Sequence, residues 1–134
     1  MDTQFKEKRN VLVVEDEKPL QDVIKTKIEH CGCAVVTART VEQAMDYLEQ
    51  EMKIDVIWLD HYLLGKETGL DLVAKLKAEG SKWKDIPIFV VSNTASEDKV
   101  KCYLALGVTK YYTKADYKLD FILSDIKKHL EEGE

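Results

Sequence analysis

The sequence predicts an α/β fold in which five strand-then-helix units wind into a doubly wound parallel sheet with helices on both faces. Three observations carry this expectation. Short apolar runs alternate along the chain with stretches whose apolar residues recur at helical spacing. The connections between them are short, so right-handed crossovers would return each strand beside a parallel neighbour. Four of the apolar runs end in residues fit for one shared site, namely Glu15-Asp16, Asp60, Ser92 and Lys114, as expected where parallel strands open onto one crevice.

The first run, Val11–Val14, reads as a strand. Pro19 suits the first turn of a helix, and Leu20, Val23, Ile24, Ile28 and Cys31 follow at helical spacing until Gly32 stops it. Cys33–Thr37 is a short second strand. Thr40 and Gln43 then form a capping box ahead of a helix that turns Val41, Ala44, Met45, Leu48 and Met52 inward. The third strand, Asp55–Leu59, runs into Asp60, and a loop with Gly65 and Gly69 leads to a helix bearing Leu70, Val73, Leu76 and Lys77 toward Gly80. Strand four, Ile86–Val91, starts near Pro87, which can open a strand but not sit in its middle. Thr94 and Glu97 make a further capping box before Val100, Tyr103 and Leu104, and Gly107 closes that helix. Val108–Thr113 is strand five. A last helix from about Lys118 places Leu119, Ile122, Leu123, Ile126 and Leu130 on one face, and Glu131–Glu134 read as a frayed acidic end. Length and element order point to the flavodoxin-like strand order 2-1-3-4-5.

A chain of 134 residues fits one domain with one core. Residues 1–9 are expected to be an N-terminal extension, 10–131 the domain and 132–134 a tail, with no output domain. An apolar share of 45% beside 34% charged residues suits a globular chain rather than a disordered one. The net charge of −5 argues against nucleic-acid binding through a basic surface. No apolar run approaches the roughly 18 residues of a membrane span, so no membrane contact and a cytoplasmic location are expected. Cys31, Cys33 and Cys102 are odd in number, and Cys31-Gly-Cys33 supplies two metal ligands where structural zinc uses four. They are read as reduced, partly buried thiols.

If Glu15, Asp16 and Asp60 share one crevice, they cannot all ionise unaided, because unit charges about 4 Å apart repel by roughly 4 kcal/mol at an effective dielectric near 20. A hard divalent cation answers that problem, and an oxygen-only ligand set selects Mg²⁺ or Mn²⁺ over zinc. Lys114 and the Ser92 hydroxyl add an ammonium and a hydrogen-bonding group for phosphoryl oxygens. Phosphoryl transfer asks for this kind of positioning and charge stabilisation more than for covalent chemistry by the protein. One carboxylate would then be the nucleophile. Asp60, alone at the end of a buried central strand, is the candidate, with Glu15 and Asp16 as metal holders.

From Asn10 to about Leu130 the sequence resembles the receiver domain of two-component response regulators. The acidic pair Glu15-Asp16, the aspartate of Ile-Trp-Leu-Asp60, the hydroxyl of Val-Val-Ser92-Asn and the lysine of Tyr-Tyr-Thr-Lys114 match in order and context. The resemblance implies that Asp60 accepts a phosphoryl group from a phosphohistidine of a sensor histidine kinase or a histidine phosphotransfer protein. It implies Asp16 as the main metal ligand, Glu15 assisting through water, and the Tyr62 backbone carbonyl as a further ligand. Ser92 and Lys114 would contact the phosphoryl oxygens, and Tyr111 falls at the switch aromatic. Such a chain is a phospho-acceptor switch rather than an enzyme. Its output is either a phosphorelay or docking of a protein target or a second copy on the face of helix four, strand five and helix five.

The chain departs from the family in three places. Lys114 precedes Ala115 where the family has a cis proline, and a cis non-proline bond costs about 2.5 to 4 kcal/mol, so this bond is expected to be trans. The loop from Asp60 to Gly69 is one residue longer than usual, and Asn93 replaces a smaller residue. Tyr62 and Asn93 beside the acceptor are expected to shield the acyl phosphate and slow autodephosphorylation. His61 should point to the opposite sheet face from Asp60, and Trp58 is read as core. Glu17 and Asp22 are read as capping or solvating the first helix. Pro19, Leu20 and Ile24 belong either to a kinase-docking face or, for Ile24, to the core.

Other classes fit less well. A flavin carrier of this fold needs a phosphate-cradling loop after strand one, where Glu15-Asp16-Glu17 would repel the cofactor. A phosphohydrolase needs a second acid beside the nucleophile, which His61-Tyr62 does not offer. The alternative retained is a phosphorylation-independent pseudo-receiver that serves as a protein-interaction module.

Overall fold

The short strand-forming runs pair as five parallel strands in a computed structural model that describes residues 8–50, 52–93 and 96–132. They are β1 (Asn10–Val14), β2 (Ala34–Ala38), β3 (Val56–Leu59), β4 (Ile88–Ser92) and β5 (Lys110–Thr113), in the order β2-β1-β3-β4-β5. Register is even along every pair, with Val14 opposite both Ala38 and Leu59 and with Ser92 opposite Thr113. The helices between and after them are α1 (Lys18–His30), α2 (Val41–Glu49), α3 (Gly69–Leu76), α4 (Glu97–Leu106) and α5 (Leu119–Glu132). This is the expected arrangement. Because side chains alternate across a strand, Leu12, Val14, Ile57, Leu59, Ile88 and Val90 meet residues of α2, α3 and α4 on one face. Val11, Val13, Val56, Trp58, Phe89 and Val91 meet residues of α1 and α5 on the other. Trp58 is core, 1% exposed, and so is Ile24, which takes Ile24 out of any docking face.

Local signals explain most boundaries. Pro19 sits in the first turn of α1, and Gly107 ends α4 in the left-handed conformation at φ 105°. Pro87 lies just before β4, where its carbonyl still accepts from the Ile57 N–H at 3.0 Å. Glu17 precedes α1 without a side-chain cap, and Asp22 pairs with Lys18.

Several details differ from the sequence reading. The Thr40 hydroxyl accepts from the Gln43 N–H at 3.0 Å, but the Gln43 amide oxygen accepts from the Arg39 N–H rather than from Thr40, so the box closes one residue early. Thr94 lies outside the described residues, and Ser96 caps α4 by accepting from the Lys99 N–H. A reciprocal box at Thr68 and Asp71 opens α3. Met52 lies beyond the end of α2 and is exposed, because the helix stops at Glu49. Cys31 and Cys102 are exposed rather than partly buried. The final helix continues through Glu132, so Glu131 is helical and not frayed. Among the described residues, no helix is long and apolar enough to cross a membrane.

Candidate functional site

Four of the five strands, β1, β3, β4 and β5, deliver a site residue at or one step beyond their last paired position. The Glu15 N–H donates to the Ala38 carbonyl at 3.0 Å and the Asp60 N–H to the Val14 carbonyl at 2.9 Å. The Lys114 N–H donates to the Ser92 carbonyl at 2.8 Å. The sheet ladder therefore continues into the site, holding the backbone of Glu15, Asp60 and Lys114 by strand-type hydrogen bonds. Gln21, a polar residue on the buried face of α1, completes this scaffold by donating to the carbonyls of Glu15 and Ala38 at 3.0 and 3.1 Å. Only its position on the apolar face of the helix could have marked it in the sequence.

The side chains converge as the sequence predicts for the acidic residues and the lysine. Carboxylate oxygens of Glu15, Asp16 and Asp60 all lie within 4.8 Å of one another. The Lys114 ammonium stands 3.0 Å from a Glu15 oxygen and 3.2 Å from Asp60 Oδ2, with Glu17 at 3.9 Å. The other Asp60 oxygen, Oδ1, accepts from the His61 N–H at 2.7 Å. The Lys114–Ala115 bond is trans, and the ammonium reaches both carboxylates all the same.

Burial sets the electrostatics. Glu15 is fully buried and Asp60 is 4% exposed. Desolvation, reinforced by the Asp60 charge and only partly offset by Lys114, pushes the Glu15 carboxyl up to about 7. Burial works against the Lys114 ammonium, but Asp60 and Glu15 outweigh it and hold the group above the usual lysine range. Lys114 thus pairs with Glu15, Glu17 and Asp60 while Asp16 joins the same acidic cluster, an excess of acidic groups that a further cation would offset. The donor set is oxygen only and lacks imidazole or thiolate, which fits a hard divalent ion of the Mg²⁺ kind.

The remaining predicted residues occupy the rim and the interior. Ser92 is fully buried at the end of β4. Tyr62 is half exposed in the loop after Asp60, with the Lys99 ammonium 3.2 Å from its hydroxyl and 4.8 Å from its ring centre. Tyr111 is partly buried in β5 and packs toward α4, its ring centre 5.6 Å from that of Tyr103. Tyr103 in turn bonds His61 Nδ1 at 2.6 Å, so the imidazole engages Tyr103 and not the Asp60 carboxylate. Burial, then the Lys99 charge, holds the His61 ring below the usual histidine range. This Tyr111–Tyr103–His61 chain was not legible in the sequence, because it joins residues of three separate elements.

Comparison with known proteins agrees with this geometry. Residues 11–127 match the family model described as the response regulator receiver domain. The phosphate regulon transcriptional regulatory protein PhoB of Pseudomonas aeruginosa is 31% identical over 106 residues, 79% of this chain and 45% of that protein. The transcriptional regulatory protein YvrH of Bacillus subtilis is 28% identical over 93% of this chain and 50% of its own length. The chain spans about half the length of the curated relatives it matches. Among solved structures, a response regulator receiver protein from Pseudomonas putida superposes with a TM-score of 0.83 at 25% identity, covering 92% of this chain and 98% of that one. The phosphorylated cyanobacterial phytochrome response regulator RcpA superposes at 0.78 with 28% identity, covering 93% of each chain. With the match extending over nearly all the described residues, and the acidic cluster and lysine meeting at the strand ends, the chain belongs to the response regulator receiver domain family.

Proposed function

We propose that this chain is a phospho-accepting receiver switch in which Asp60 is the acceptor. The observation that carries the reading is the placement of Asp60 at the end of β3, with Oδ2 at 3.2 Å from the Lys114 ammonium and both acidic residues of the β1 end within 4.8 Å. In the reaction, an Asp60 carboxylate oxygen attacks the phosphorus of a phosphohistidine. The P–N bond breaks, and the electron pair stays on the departing imidazole nitrogen. Lys114 stabilises charge on the transferring oxygens. Glu15, Asp16, Asp60 and the Tyr62 carbonyl would hold Mg²⁺, with Mn²⁺ as a substitute. When bound, such an ion supplies neutralising charge and polarises the phosphoryl group.

Receiver domains work with histidine kinases or phosphotransfer proteins, and we assign this chain such a donor. The phosphorylated state is read through Ser92 and Tyr111, whose elements β4 and β5 border α4. Phosphorylation then biases two conformations of the α4, β5 and α5 face toward one that docks a target, a second copy or a relay partner. We place the receiver at residues 10–131 and its action in the cytoplasm. The net charge of −5 supports no nucleic-acid contact by the domain itself.

Intact-mass measurement after incubation with Mg²⁺ and acetyl phosphate or phosphoramidate tests this, run beside Asp60→Asn. A single phosphoryl adduct is expected on the parent, absent from the variant and prevented by EDTA. No adduct on the parent with either donor would overturn the assignment in favour of a phosphorylation-independent interaction module.

A further inference from the structure

We propose that Arg39 is the positioning residue that fixes the metal-binding loops, an inference that rests on the Mg²⁺ reading above. Arg39 follows the end of β2, the edge strand, which supplies none of the acidic, hydroxyl or lysine groups of the site. Its guanidinium nonetheless reaches across to the β1 end, where Nε and Nη2 donate to the Asp16 carbonyl at 2.9 and 2.7 Å. Its own carbonyl accepts from the Leu64 N–H at 3.0 Å, in the loop two residues beyond Tyr62. Its N–H donates to the Gln43 side chain of α2 at 2.7 Å. One residue therefore ties both ligand-bearing loops to a helix.

Asp16 needs such a tie more than its neighbours do. Glu15 and Asp60 are held by ladder bonds of the sheet, whereas Asp16 lies past the ladder and before the first turn of α1. Three residues on, where a backbone N–H would ordinarily turn back to its carbonyl, stands Pro19, which has none. An unheld carbonyl lets the Asp16 peptide rotate, and the carboxylate swings with it. Two charge-assisted bonds from a rigid fork prevent that rotation. Outer-shell partners of this kind set metal affinity by orienting the ligands.

The guanidinium charge acts in the opposite sense, since a cation beside a cation site repels the incoming ion. The sign of the effect on Mg²⁺ affinity therefore separates positioning from charge. Arg39→Ala removes both, and Arg39→Lys keeps the charge but loses the planar two-donor fork. The test is Mg²⁺ titration of parent and both variants by tryptophan fluorescence, with Trp58 buried two residues before Asp60, alongside thermal unfolding with and without Mg²⁺. The metal-free unfolding temperature registers a merely structural loss, and the Mg²⁺-induced rise registers the ligand effect. Both variants are expected to bind Mg²⁺ about tenfold more weakly or worse, with a smaller Mg²⁺-induced rise in unfolding temperature. Unchanged affinity in both variants would overturn the proposal, as would Arg39→Ala binding more tightly or Arg39→Lys matching the parent. A parent that shows no saturable Mg²⁺ response fails the metal reading itself and removes the proposal with it.

Discussion

Glu15 couples the stability of the metal-free protein to pH in a direction opposite to that of an ordinary paired carboxylate. Its carboxyl keeps its proton up to about 7 in the folded protein, against 4.5 as the ordinary value, chiefly because the group is fully buried and secondly because of Asp60. At about 1.4 kcal/mol per pH unit, forcing it to ionise withdraws roughly 3 kcal/mol. The folded state binds more protons than the unfolded state across this window, so the contribution is present in full below about 4.5 and is lost as the pH rises through about 7. His61 works the other way, since burial holds it below its ordinary value and folding favours its neutral form as pH rises. Comparison with Glu15→Gln subtracts that background. Urea unfolding at pH 5 and pH 8 in EDTA should show the parent losing roughly 2 to 3 kcal/mol relative to the variant, somewhat less than the whole because Glu in the unfolded chain is already partly ionised at pH 5. Saturating Mg²⁺ should shrink the loss, because the cation favours the carboxylate. A parent-minus-variant difference that stays level or rises between the two pH values would refute the reasoning.

Two further perturbations test the loop between β3 and α3. A Cβ on Gly69 would stand 2.5 Å from the Asp60 carbonyl oxygen and 2.9 Å from the Tyr103 hydroxyl. Backbone cannot yield cheaply, so Gly69→Ala should lose about 1 to 2 kcal/mol, the overpacking cost exceeding the helix-propensity gain of up to about 1 kcal/mol; a variant as stable as the parent in urea would show that the loop gives way. Tyr62, pinned at 3.2 Å by Lys99, is expected to shield the acyl phosphate, so Tyr62→Ala should shorten the lifetime of the Asp60 phosphoryl group followed by intact mass in Mg²⁺. An unchanged lifetime would dispose of the shielding idea.

The alternation of apolar runs with helical periodicity, the glycines and prolines at element ends, and the placement of Glu15, Asp16, Asp60, Ser92 and Lys114 after strands were all legible in the chain. They are local signals: side-chain period and backbone restriction act within a few residues, and parallel topology follows from short right-handed connections. From these the five-stranded fold and the convergence of the acidic residues with the lysine follow without coordinates. What the tertiary structure alone decided are the partnerships between distant segments. Gln21 under the Glu15 carbonyl, Tyr103 on His61, Lys99 on Tyr62 and Arg39 on Asp16 link different elements. No local pattern encodes them, because a polar side chain finds its partner only after packing has buried the competing water and brought the two segments within hydrogen-bonding distance. The burial of Glu15 is of the same kind: its sequence neighbours announce an acid at a strand end, and only the assembled sheet removes it from solvent and raises its hold on the proton.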